Sequence, residues 1–239
     1  MTTESWTKFA SDPRKLIASP LHTLLVVVLL GLNSYRAAIF AARNRAGMGP
    51  TRTHLYLRII LIEFVILAIV ILGVRLRGAS LRAIFGHRWV SASQALRDLG
   101  LGVALLLAST ILVSLLSGHQ GGSTPYQSID YLIPHTFLEI LLWVCVSSTA
   151  GFCEEAVYRG YLQHQFSVLT HNVPAGIFLS AVIFAAAHAY QGLQRASLIG
   201  LAAILSGVLV HWCGTVRPSM FAHALQDAFA PLLLKLMRH

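Results

Sequence analysis

Leu24-Leu25-Val26-Val27-Val28-Leu29-Leu30 is an unbroken apolar run in which no polar residue takes the alternate positions. A strand of a membrane barrel faces lipid and lumen in turn and so alternates with period two. This run does not, and a barrel is excluded. Hydrocarbon offers no water to pair backbone N–H and C=O groups, so an open spanning segment must satisfy them internally as a helix. A spanning helix needs about 20 mostly apolar residues. Windows of that kind begin near Leu21, Leu55, Gly100, Phe137, Val173, Ser197 and Ser219. The expected fold is all-α, a polytopic transmembrane bundle of about seven helices.

Composition agrees with that reading. Of 239 residues 56% are hydrophobic and 11% charged, whereas a soluble domain carries roughly a quarter charged residues. The mean hydropathy is +0.68. A water-soluble fold of this length would need a charged exterior that these residues cannot supply. The excess of 18 Lys plus Arg over 9 Asp plus Glu is concentrated from Arg36 to Arg97 beside apolar runs. Anchoring at the membrane surface and contact with anionic lipid account for it. No interleaving of aromatic and basic residues accompanies these charges, so nucleic acid is not an expected partner.

Three cysteines, Cys145, Cys153 and Cys213, lie in or beside apolar segments, and their odd count speaks against a disulfide framework. Met1 to Pro20 holds Glu4 and Asp12 and lacks a compact apolar region with a small-residue cleavage site, so no removable leader is expected. Turn chemistry separates the windows at Gly47 to Pro50, at Gly121 to Pro125, at Asn172 to Pro174 and at Arg217-Pro218. Between Arg75 and Arg97 basic residues alternate with Leu81, Ile84, Phe85 and Trp89, the pattern of a helix along the interface or of a basic loop. Gly118 to His135 contains no Lys or Arg and is the candidate for the outer face.

Ionisable groups inside a membrane are costly and mark function, and here they gather in the C-terminal half. Glu154, Glu155 and Arg159 fall on the helix begun near Phe137, His188 on the next, and His223 with Asp227 on the last. Glu154 and Glu155 point about 100° apart on a helix. Glu155 and Arg159, at i and i+4, can pair on one face. That pairing neutralises Glu155 and leaves Glu154 as the natural general base. His188 follows Phe184-Ala185-Ala186-Ala187, whose small residues admit a neighbouring helix, and can share a water with Glu154. His223 and Asp227 also stand at i and i+4, where an imidazole and an acid can stabilise an oxyanion. His211 reads as a packing residue, Glu63 with Arg58 as local or interfacial pairing, and Glu139 as a residue at a helix start.

Depth supports part of this arrangement. Glu154 lies 17 residues before His171 and His188 lies 17 after it, so a hairpin brings them level. His223 sits only about 9 Å beyond the turn near Arg217. Either its helix tilts, or the segment after Arg159 bends along the interface.

Glu154-Glu155-Ala-Val-Tyr-Arg159, Phe184-Ala-Ala-Ala-His188 and His223-Ala-Leu-Gln-Asp227, in that order, resemble the motifs of the CPBP family of intramembrane endopeptidases. That family includes the type II CAAX prenyl proteases and the bacteriocin-processing or Abi proteins. The resemblance covers about residues 137 to 235 and implies a catalytic helical core over 136–239. Residues 1–135, N-terminal transmembrane helices with basic loops, match nothing specific, and the two regions form one continuous membrane domain. The resemblance implies that Glu154 and His188 activate water, that His223 and Asp227 stabilise the oxyanion, and that Glu155, Arg159 and Phe184 support site and substrate. The family commonly carries Asn at the last position. Asp227 must therefore be protonated, orient His223, or bind a metal.

A metal-free reaction is the preferred expectation. Zinc held by residues drawn from His188, His223, Asp227 and Glu154 is the alternative. The implied substrates are a CAAX-type prenylated protein, a peptide or a bacteriocin-like chain, and the implied location is the cell membrane. Two other classes use the same residues: a transporter or proton relay, although no paired halves are visible, and a non-catalytic immunity or scaffold protein.

Overall fold

The structure, a computed structural model, describes residues 15–117 and 127–236. The leader reading over the first residues, the Gly121 to Pro125 turn and half of the loop assigned to the outer face lie outside the described residues.

The apolar windows become helices α1 (Pro20–Arg45) and α2 (Arg52–Leu76), a short α3 (Arg82–Phe85), then α4 (Ala92–Ser117), α5 (Phe137–Glu154), α6 (Gln163–Leu169), α7 (Val173–Ala187), α8 (Leu193–Cys213) and α9 (Arg217–Leu236). A π-helical stretch, Glu155–Leu162, joins α5 to α6 without a break. No strand occurs among the described residues. Five helical segments are long and apolar enough to cross a membrane: α1, α2, Ala92–Leu116 of α4, the continuous Phe137–Leu169, and α8. The other two windows give α7, which is shorter, and α9, which is more polar. Most large apolar side chains left exposed, such as Leu21, Leu61 and Leu107, lie on these segments and face outward, as expected where lipid is the solvent.

Local chemistry sets the helix ends. Ser19 accepts from His22 N–H at 3.1 Å and Pro20 opens α1. Thr136 and Glu139 form a reciprocal capping box at the start of α5, which is the helix-start role expected of Glu139. Asn172 caps α7 through Ala175 N–H. Gly214, at φ 67°, closes α8 in the left-handed conformation that favours glycine.

The expected interfacial helix is only α3. Its Ile84 is buried, and the chain after it lacks helical structure up to α4. A Cβ added to Gly160 would lie 2.6 Å from Ile84 O, so α3 packs directly on the π segment. The basic residues thus belong mainly to a loop whose apolar side chains wedge into the bundle.

α9 packs against α4 and α5, α5 also against α2, and α7 against α6 and α8. Asp98 of α4, fully buried, accepts from Trp89 Nε1 at 2.8 Å and lies 3.8 Å from Arg217 at the start of α9. The entry to α1 is fixed to α6: Gln165 accepts from Ile17 N–H at 2.9 Å and donates to Ala18 O and Thr23 Oγ1. The three cysteines are free thiols.

Candidate active site

The π-helical stretch places the first part of the site. Its wider turn, a feature that recurs at functional sites, leaves every residue from Glu155 to Leu162 buried. Glu155 Oε1 lies 3.1 Å from Arg159 Nη1 with both side chains almost inaccessible, so the i, i+4 pair expected from spacing is present. A buried ion pair needs further partners to offset desolvation. Here they are His223, whose Nδ1 is 3.0 Å from Glu155 Oε1, and the Phe184 ring, over which the Arg159 guanidinium sits at 4.2 Å.

α9 reaches Glu155 because α5 offers it no side chain at Gly151. A Cβ there would lie 2.8 Å from Met220 O and 2.8 Å from Ala224 Cβ. Close contact therefore begins within three residues of His223 and makes up for the short distance from the turn. Trp143 Nε1 donates to the backbone oxygen of Asp227 at 3.0 Å and fixes the next turn of α9. His223 Nε2 then lies 3.5 Å from Asp227 Oδ2 and 3.7 Å from Glu154 Oε2. The imidazole has a carboxylate at each nitrogen.

Phe184 is the hub between the helices. Its ring meets Tyr158 edge-on at 4.8 Å, His188 at 4.6 Å and His223 at 5.9 Å. His188 follows the last residue of α7, and its Nδ1 bonds to Phe184 O at 2.9 Å. A carbonyl only accepts, so Nδ1 is the donor and Nε2 is left to take a proton or a hydrogen bond.

Glu154, His188, His223 and Asp227 all line one cavity of about 210 Å³, together with Glu155, Arg159 and Phe184. Such a space holds several waters. A second cavity, between α1, α2 and α5, meets the first at Glu154 and His188. Glu154 Oε2 is buried and finds no hydrogen-bond donor.

Glu63 departs from the sequence expectation. It is not ion-paired with Arg58, whose guanidinium lies over the Phe40 ring at 4.0 Å. Instead Glu63 lines the second cavity together with Glu154. A lone carboxylate in the middle of α2, the most apolar of the candidate spans, was the signal that could have found it. Tyr158 and Tyr190, also on this wall, carried no such signal.

Among the described residues no group of three His, Cys, Asp or Glu side chains is arranged to hold a metal ion. The imidazole of His223 is already engaged by Glu155, and Nδ1 of His188 by a backbone carbonyl. Each ring thus has Nδ1 engaged and Nε2 left over, an arrangement that serves a hydrogen-bonded water and a metal ion alike.

Residues 135–229 match the family model described as type II CAAX prenyl endopeptidase Rce1-like. The match bears out the resemblance to the CPBP family read from the three motifs. With five helices long and apolar enough to cross a membrane, the match fits an integral membrane protein whose residues 135–229 are similar to CAAX-type intramembrane endopeptidases. No curated protein and no solved structure matches the chain.

Proposed function

We propose that this protein hydrolyses a peptide bond of a prenylated protein or peptide within the cell membrane, using a water activated by Glu154 and His188. The observation that carries the reading is the unpartnered Glu154 Oε2 at the junction of two cavities. Burial without a donor leaves that oxygen free to accept a proton from water. The catalytic core is assigned to 136–239, with 1–135 forming the membrane frame that closes the cavity on the α1–α2 side.

In the first step the water oxygen attacks the scissile carbonyl carbon and its proton passes to Glu154. The carbonyl π electrons move to oxygen, and His223 donates to that oxyanion. In the second step the oxyanion re-forms the carbonyl, the C–N bond breaks, and the proton held by Glu154 goes to the leaving nitrogen. Water has then supplied OH to the new carboxyl group and H to the amine. His188, with Nε2 free, holds the water against Glu154. Asp227 orients His223, the alternative of the three that its 3.5 Å contact favours; an ionised Asp227 facing the oxyanion directly would repel it. No step is routed through a metal.

The test is Glu154→Gln in purified, detergent-solubilised protein, assayed with an S-farnesylated peptide. Cleavage should fall by a factor of about 10³ or more while thermal unfolding and monodispersity are retained. Full activity in that variant would remove Glu154 as the base.

A further inference from the structure

In the proposed reaction His223 alone donates to the oxyanion, because Asp227, as a carboxylate, only accepts. A water held by Glu154 and His188 attacks a carbonyl carbon that lies about 3–3.5 Å away, so the carbonyl sits where the two cavities meet. Ile59, Leu132, Glu154, His188 and Tyr190 line both cavities. Of these only His188 and Tyr190 carry a side-chain donor, and the Nδ1 hydrogen of His188 is committed to Phe184 O. Trp143 and Arg159, on the wall of the first cavity, are engaged by Asp227 O and by Glu155. Tyr190 is left.

Its place follows from a tight turn. α7 ends at Ala187, and a 3-10 turn over Ala189–Gln191 carries Tyr190 before α8 begins at Leu193. The Tyr190 ring is half-buried and lies nearly parallel to that of His188, with centroids 6.3 Å apart and planes 26° apart. Gln191 Nε2 donates to the phenol oxygen at 3.1 Å. That bond occupies a lone pair and leaves the O–H free to turn, and among the described residues its proton has no acceptor.

We propose that Tyr190 is a second oxyanion donor, acting beside His223. Its hydroxyl bonds to the scissile carbonyl oxygen as that oxygen gains charge, and it keeps its proton throughout. The inference rests on the endopeptidase reading and adds a catalytic residue to it. A neutral phenol can stand on an apolar wall where a cation would be costly. A hydrogen bond to an ionised oxygen is about twice as strong as one to a neutral carbonyl, so the contact stabilises the transition state more than the bound substrate. Donation by Gln191 to the same phenol polarises its O–H and strengthens the effect.

The test is Tyr190→Phe in the purified full chain, with the S-farnesylated peptide as substrate. Phenylalanine keeps the ring beside His188 and removes only the hydroxyl. The kcat should fall about 100-fold while KM stays within about threefold, the mark of an interaction made only in the transition state. A peptide analogue with a phosphinate at the bond the wild type cleaves presents a tetrahedral anionic oxygen. It should bind Tyr190→Phe about tenfold or more weakly than wild type. The double variant Tyr190→Phe/Gln191→Leu should be as slow as Tyr190→Phe. Recovery of kcat in the double variant would trace the loss to an unbonded Gln191 and overturn the proposal. So would a wild-type kcat in Tyr190→Phe, a loss confined to KM, or an unchanged phosphinate affinity. Each of those results leaves cleavage by the wild type, and with it the endopeptidase reading, intact. A wild type that does not cleave the S-farnesylated peptide refutes that reading and the role of Tyr190 together.

Discussion

Replacing Gly151 by alanine tests whether the seat of α9 on α5 sets the chemistry. The added Cβ would lie 2.8 Å from Met220 O, 2.8 Å from Ala224 N and 2.8 Å from Ala224 Cβ. These atoms belong to the backbone or its first carbon and cannot swing aside. Ordinary contact needs about 3.5 Å, so α9 must retreat by about 0.7 Å. His223 Nδ1, now 3.0 Å from Glu155 Oε1, would then lie about 3.7 Å away, outside hydrogen-bonding range. Misplacement by about 1 Å can cost about 100-fold in rate, so kcat on an S-farnesylated peptide should fall about 10- to 100-fold. Overpacking of this kind costs about 1–3 kcal/mol of stability, leaving a folded protein with a lowered Tm. Gly31→Ala is the control: its Cβ meets nothing within 4 Å, and alanine is the better helix former. Wild-type kcat in Gly151→Ala would refute the claim that this contact positions His223.

Arg159→Gln leaves Glu155 buried with an uncompensated charge and should lower stability by about 3–5 kcal/mol, measured by thermal or denaturant unfolding. The double variant Glu155→Gln/Arg159→Met should recover part of that loss. Glu63→Gln keeps a polar side chain in the cavity beside Glu154 and should hold kcat within about tenfold of wild type, whereas Glu63→Leu removes it and should lose more. Equal kcat in the two Glu63 variants would show that a polar group at this position has no bearing on turnover. Incubation with a strong zinc chelator should leave kcat unchanged. Activity lost to the chelator and restored by zinc would replace the water activation proposed here with a metal-based one.

The polar residues that gather at the cavity were legible in the sequence because helical spacing is local. Glu155 and Arg159 meet at i, i+4, as do His223 and Asp227, and the equal distances of Glu154 and His188 from His171 place them at one level. Glu63 was misassigned for a complementary reason. Its apparent partner, Arg58, is near in the chain, while its actual neighbour is 91 residues away on α5. Nor did hydropathy reveal the π-helical turn, since the apolar pattern of Phe137–Leu169 runs through it without interruption.

By itself the sequence determined the solvent, the helical class and which side chains bear the cost of sitting in a membrane, because apolar run length and charge depletion are sums along the chain. Tertiary structure decided which carboxylate meets which imidazole. That choice depends on how closely α9 approaches α5 at Gly151 and on how α1 and α2 leave a cavity at Glu154. These are distances of a few ångströms between segments far apart in the chain, and no periodicity encodes them.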